Sequence, residues 1–123
     1  MKIMKVFTTF VFFVLFIGTT GHAQKCTISD MKVKITRTGK AVEGAPEWVA
    51  TIYNTCTCPQ SNVYLKCTGF NSYEVISPSI FKVVGDICLI NSGKPIVKGV
   101  PVSFNFAFNT PFDLLPFKST ISC

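Results

Sequence analysis

Along most of this chain apolar and polar residues alternate with a period of two, the spacing of a strand that buries one face and wets the other. From Cys26 to Thr38, Ile28, Met31, Val33 and Ile35 alternate with Lys32, Lys34 and Thr36, with a break near Asp30. Trp48 to Thr55 predicts a second strand, with Trp48, Ala50 and Ile52 on one face and Val49, Thr51 and Tyr53 on the other. Val63 to Thr68 predicts a third and Ile80 to Val84 a short fourth; Ile87 to Ile90 follows a turn at Gly85-Asp86. The clearest strand is Val100 to Phe108, where Val100, Val102, Phe104, Phe106 and Phe108 alternate with Pro101, Ser103, Asn105 and Ala107.

Breakers separate these runs. Gly39 to Pro46 holds two Gly and a Pro and is expected to be a loop. Asn71 to Ser79, broken by Pro78, is a second loop, and Asn91 to Pro95 predicts a hairpin-like turn, because Asn and Gly tolerate positive φ. Pro111 closes the long strand, and a short apolar tail runs to Cys123. No segment carries a 3.6-residue stripe. The pattern predicts an all-β fold: a single small antiparallel β-sandwich of about seven strands.

Cysteine placement sharpens this picture. Ile52 to Phe70 reads as two extended segments joined by a Pro-containing turn, with a polar hinge at Gln60-Ser61-Asn62. It contains Cys56, Cys58 and Cys67. Residues two apart in a strand share a face, so Cys56 and Cys58 are expected to project together and to clamp this hairpin to two other parts of the chain. The remaining cysteines are Cys26, Cys88 and Cys123, making six in all. An even count in a small exported chain indicates a framework of three disulfides, each stabilising by about 2–4 kcal/mol. The pairing stays open.

Export is expected from the N-terminus. Met1, Lys2 and Lys5 give a positive start, Val6 to Ile17 is an apolar run, and Gly21-His22-Ala23 offers a signal-peptidase site. The run is shorter than the roughly 20 residues of a membrane-spanning helix. Residues 1–23 therefore read as a signal peptide and residues 24–123 as one domain, secreted to the extracellular space with no later membrane insertion. Without Lys2 and Lys5 the formal charge falls from +6 to about +4. The basic residues are scattered, which favours acidic neighbours such as wall polysaccharide or an acidic receptor surface and argues against nucleic acid.

The one histidine, His22, leaves with the signal peptide. No imidazole remains for Ser-His-Asp or Cys-His catalysis, and no His-bearing zinc site can form. The six acids, Asp30, Glu43, Glu47, Glu74, Asp86 and Asp113, read as surface charges with no Asp-x-Asp among them. No cofactor or metal and no enzymatic activity are expected. The Phe104, Phe106 and Phe108 row reads as core. Trp48, Tyr64 and Tyr73 suit partly wet contacts better, because each carries a polar tip. Lys40, Trp48, Tyr73 and Lys94 are the candidate partner contacts, with loops Gly39–Pro46, Asn71–Pro78 and Asn91–Pro95 as the expected contact surface.

The pattern Ile52-x-Asn54-x-Cys56-x-Cys58, then Leu65-x-Cys67-x-Gly69-Phe70, then Cys88-Leu89-x-x-x-Gly93-x-Pro95 resembles the plant tapetum-determinant-like family of small secreted cysteine-rich proteins. Val102-x-Phe104-x-Phe106-Ala107 and the closing Ser122-Cys123 continue the likeness, which runs from Cys26 to Cys123. One departure is Phe106, where the family often has Tyr before Ala. The resemblance implies an apoplastic, disulfide-bonded ligand that binds the ectodomain of a leucine-rich-repeat receptor kinase. The alternative is an apoplastic carbohydrate-binding or defence protein of the cell wall, without catalytic activity.

Overall fold

A computed structural model describes residues 25–123. The expected signal peptide lies outside the described residues. Seven strands form two antiparallel sheets: β1 (Met31–Val42), β2 (Ala45–Asn54) and β6 (Val102–Ala107) in one, and β3 (Gln60–Lys66), β4 (Phe81–Val84), β5 (Ile87–Ile90) and β7 (Leu115–Ile121) in the other. The strand orders are β1-β2-β6 and β4-β5-β3-β7. The sandwich expected from the period-two pattern is the fold observed. No helix among the described residues is long and apolar enough to cross a membrane.

The inward positions fill the space between the sheets. Met31, Ala50, Ile52, Phe104 and Phe106 from one sheet meet Val63, Leu65, Phe81 and Ile90 from the other. Register explains the match: Ala50 pairs with Phe104 and Trp48 with Phe106, so the inner positions of β2 and β6 lie side by side. Phe106 contacts Phe70, Phe104 and Phe112, with ring centroids 5.4, 6.1 and 6.1 Å away. Aromatic edges and faces stacked in this way contribute beyond the area they bury. Phe104 and Phe106 are core as expected, whereas Phe108 is half-buried.

Several expected boundaries move. Gly39–Pro46 is not a loop: β1 continues to Val42, and Ala41 pairs with Pro46 and Val42 with Ala45. The turn needs only Glu43 and Gly44, both at positive φ (51° and 80°), the arrangement that matches the twist of a two-residue hairpin. Thr38, expected at the end of the first strand, and Gly39 and Lys40, expected in the loop, form a bulge in β1 between the Arg37–Trp48 and Ala41–Pro46 pairs.

The Ile52–Phe70 hairpin is also corrected, because β2 and β3 lie in different sheets and residues 55–59 cross between them. Buried Asn54 turns the chain there: its Nδ2 donates to the carbonyls of Cys58 (2.9 Å) and Ile96 (3.0 Å), and its Oδ1 accepts from the Cys56 amide. Gln60, expected in a hinge, is fully buried at the start of β3, exchanging backbone bonds with Ile96 and donating through Nε2 to the Thr27 carbonyl. Asn91–Pro95 joins no hairpin either; Asn91, Ser92 and Gly93 form a short 3-10 turn with positive φ throughout. Val100 lies outside its expected strand, 62% exposed. The short apolar tail contains edge strand β7.

Candidate functional site

The disulfides resolve the pairing that the sequence left open. Cys26 bonds Cys56, Cys58 bonds Cys123, and Cys67 bonds Cys88, leaving no free cysteine. Cys56 and Cys58 both sit in the crossover between sheets, and each does reach a distant part of the chain. Cys26 stands before β1, an edge of the three-stranded sheet; Cys123 stands after β7, an edge of the four-stranded sheet. The two bridges thus tie one edge of each sheet to one crossover. They also pack together: the Sγ atoms of Cys26, Cys58 and Cys123 lie within 4.8 Å of one another. Their sulfurs are consumed in disulfides, so this grouping is not a set of thiolate ligands.

Three of the four candidate contact residues gather at the opposite end of β2. Lys40 lies in the β1 bulge, Trp48 lies in β2, and Tyr73 lies in the β3–β4 connection. Trp48 is half-buried; its Nε1 donates to the Phe108 carbonyl at 3.1 Å, and the Arg37 guanidinium lies 5.5 Å from its ring centroid. Tyr73 stacks on Phe108 at 5.4 Å and remains 45% exposed. Lys94 does not join them. It precedes Ile96, which bonds Gln60 and Asn54 at the far end of β2, seven residues and roughly 23 Å of strand from Glu47.

At the centre of this cluster lies a feature that sequence reasoning missed. Glu47, taken for a surface charge, is 1% exposed. The β1 bulge delivers the Thr38 hydroxyl, which donates to Glu47 Oε1 at 2.7 Å, and Asn105 Nδ2 lies 3.5 Å from Oε2. Glu74 covers it from the β3–β4 connection. That connection is held against β6: the Ala107 amide donates to Ser72 Oγ, and the Tyr73 amide donates to the Ala107 carbonyl. The Thr38 hydroxyl and a hydrogen bond from Glu74 hold the Glu47 carboxyl below its ordinary pKa, with Lys40 adding to the effect. Burial pushes Glu74 up, and its bond to the Glu47 carboxylate adds to that. One Glu74 carboxyl oxygen, Oε1, is itself buried with no hydrogen-bond partner among the described residues. The pair is a latch between the connection and the three-stranded sheet. No residue type or spacing in β2 announces it, because its members come from four segments that only the fold brings together.

A groove of about 370 Å³ opens elsewhere, between Ile28–Val33 and Leu114–Pro116 at the seam of the two sheets. Its walls are Ile28, Met31, Val33 and Leu114 with Lys32 at the rim, and none of the six acids lines it.

The family model for Tapetum determinant 1, C-terminal, matches residues 27–123. The chain is 28% identical over 111 residues to TPD1 protein homolog 1 of Arabidopsis thaliana, covering 86% of this chain and 60% of that one. It is 29% identical over 80 residues to TPD1 protein homolog 1A of Oryza sativa subsp. japonica, covering 58% and 35%. Uncharacterized protein At1g05835 of Arabidopsis thaliana is 30% identical over 76 residues, covering 58% and 59%. The chain thus spans between about a third and three fifths of these relatives' lengths. No solved structure matches it. Since the family model takes in the whole sandwich and five of the six cysteines, the chain belongs to the Tapetum determinant 1, C-terminal, family.

Proposed function

We propose that this protein is a secreted signalling ligand that binds the ectodomain of a plant leucine-rich-repeat receptor kinase, in cell-fate or developmental signalling. The observation that carries the reading is the family match across residues 27–123. The framework supports it: three disulfides hold a small sandwich rigid, so that little ordering entropy is lost when its surface docks. On this reading the protein acts by surface complementarity and not by catalysis. With every cysteine bridged and no histidine beyond His22, it brings neither thiolate nor imidazole to a reaction.

The test begins with the full chain expressed in plant cells. Protein recovered from the extracellular fluid is presented, oxidised, to a panel of leucine-rich-repeat ectodomains and to cell-wall glycans. The expected result is export, followed by saturable binding to an ectodomain that disappears on reduction. Retention inside the cell, or binding to glycans alone, overturns the reading and favours a wall-binding protein.

A further inference from the structure

The outer face of the four-stranded sheet combines lysines with exposed apolar side chains. Leu65 and Cys88 point into the core, so their neighbours Tyr64, Lys66, Ile87 and Leu89 point away from it. Register then sets Lys82, Leu89, Tyr64 and Lys118 in one row across β4, β5, β3 and β7. Val84, Ile87, Lys66 and Leu115 make the next row. Val84 is 48% exposed and Leu115 57%.

A bulge enlarges this face. Tyr64 pairs with Lys118 and Leu65 with Pro116, so Phe117 is an extra residue on β7. Bulges re-aim side chains, and this one turns Phe117 and Lys118 to the same side. The Lys66 ammonium lies 5.3 Å from the Phe117 ring centroid, and the Lys118 ammonium lies 5.0 Å from that of Tyr64. Phe117 nevertheless stays 42% exposed. The four strands carry Lys66, Lys82 and Lys118 and no acid; Asp86, in the β4–β5 turn, is the acid at their margin. Lys94 follows Gly93, which lies against Leu89 and Asn62 at one end of the same face.

We infer that this face docks an acidic protein surface, whose carboxylates meet Lys66, Lys82 and Lys118 while its apolar side chains meet Val84, Leu115 and Phe117. The inference rests on the ligand reading above and names the surface and the chemistry by which the partner is held. Charge complementarity selects an acidic partner, because the lysines have no carboxylate beside them within the sheet. The aliphatic residues select a protein over a polysaccharide: sugars stack on open aromatic faces, whereas Tyr64 and Phe117 already carry lysine ammonium groups. Lysines laid over rings also keep an apolar patch wetted in the free protein, with their charges held in place for a partner.

The test uses the full secreted protein and three variants: K66E/K118E, L115S/F117S, and K32E/K34E on the opposite outer face. The first and third change net charge equally. Each variant is checked for wild-type melting and three intact disulfides, then titrated against the ectodomain panel and against homogalacturonan. The expected result is an affinity loss of about tenfold or more for K66E/K118E, with a flatter salt dependence. L115S/F117S should lose about as much, and K32E/K34E less than about twofold. Wild-type binding that tolerates K66E/K118E, or that falls equally with K32E/K34E, overturns the assignment of the face and leaves the ligand reading standing. Failure of the wild type to bind any ectodomain overturns the ligand reading itself. Lysine-dependent binding to homogalacturonan alone makes the partner a polysaccharide and overturns both.

Discussion

The two outer faces of the sandwich are built by the same period-two rule and carry similar numbers of lysines, yet they present different chemistry. On the three-stranded side Lys32, Lys34 and Thr36 stand beside Val49, Thr51 and Tyr53, with Ser103 and Asn105 beyond. Hydroxyls pair across the strands there: Ser103 Oγ lies 3.2 Å from Thr51 Oγ1. At one end of that face, the protein's own chain roofs it, where Ser72 to Glu74 cover Glu47 and Ala107. On the four-stranded side the lysines alternate with Val84, Ile87, Leu89, Leu115 and Phe117. Net charge therefore does not separate the faces. What separates them is whether the residues between the lysines are hydroxylic or apolar, and whether the chain covers its own buried group or leaves apolar side chains open.

The largest way to break this comparison is to release one edge. Cys58→Ser frees Cys123 from the crossover and with it the end of β7, which carries Leu115, Phe117 and Lys118. The bridge closes a span of 65 residues, and loop-closure entropy puts its loss at about 4 kcal/mol. That is close to the whole net stability of a small domain. Folded protein should not reach the extracellular fluid; normal secretion with unchanged melting would remove the clamp argument. Phe106→Ala comes next. It empties a fully buried site among Phe70, Phe104 and Phe112 and should cost about 3–5 kcal/mol, read from denaturant midpoints. Because Phe106 lies between the sheets, both outer faces should lose order together.

These two positions were legible in the sequence, and the reason is instructive. A cysteine framework and an inward-facing Phe row announce themselves by residue type and period. Both the two-sheet architecture and the strands that alternate strictly, such as β2 and β6, follow from that period. Signals failed where a local device reset it. The Gly39–Pro46 stretch looked like a loop, but a bulge and a two-residue turn keep it within a hairpin. At Asn62 a positive φ of 50° adds a residue to β3, so that Gln60 and Val63 both face the core despite their odd spacing. The bulge at Phe117 similarly hid β7, whose outward side is apolar. Candidate contacts suffered from the same limit: Tyr64 and Lys94 could be singled out by type, but only register shows the face that Tyr64 shares with Lys118.

Gly93→Ala sharpens the comparison by disturbing the rim of one face only. At φ +80° an added Cβ is strained, and it would meet Asn62 Oδ1 at 2.8 Å. Positive φ alone costs a non-glycine residue about 1–2 kcal/mol. Asn62 must also give way, and it lies at the register shift within β3. Amide exchange should speed up in β3 and β5 while β1 and β2 remain protected. Equal acceleration in both sheets would show that the faces are not independent in this sense.

The smallest expected effect concerns the roof over the three-stranded face, and it depends on pH. Glu74 has its pKa raised by burial and by the neighbouring Glu47 carboxylate. Its contribution to stability is therefore complete below the ordinary carboxyl pKa of about 4.3 and is lost as pH rises through its own raised value. Glu47, held low by the Thr38 hydroxyl and the Glu74 bond, behaves in the opposite sense: its contribution is present above about 4.3 and fades as pH falls through its lowered value. The latch should be tightest between the two, where one proton serves both carboxyls. Above that window two charges face each other under the roof, relieved in part by Lys40. Glu74→Gln replaces the shared proton with an amide that donates to Glu47 at every pH. Melting temperature of the variant should stay level as pH rises from about 4 to 8, whereas that of the wild type should decline over the same range. Parallel curves would mean that Glu47 and Glu74 do not share a proton, and that the roof is held by the Ser72 and Tyr73 backbone contacts alone.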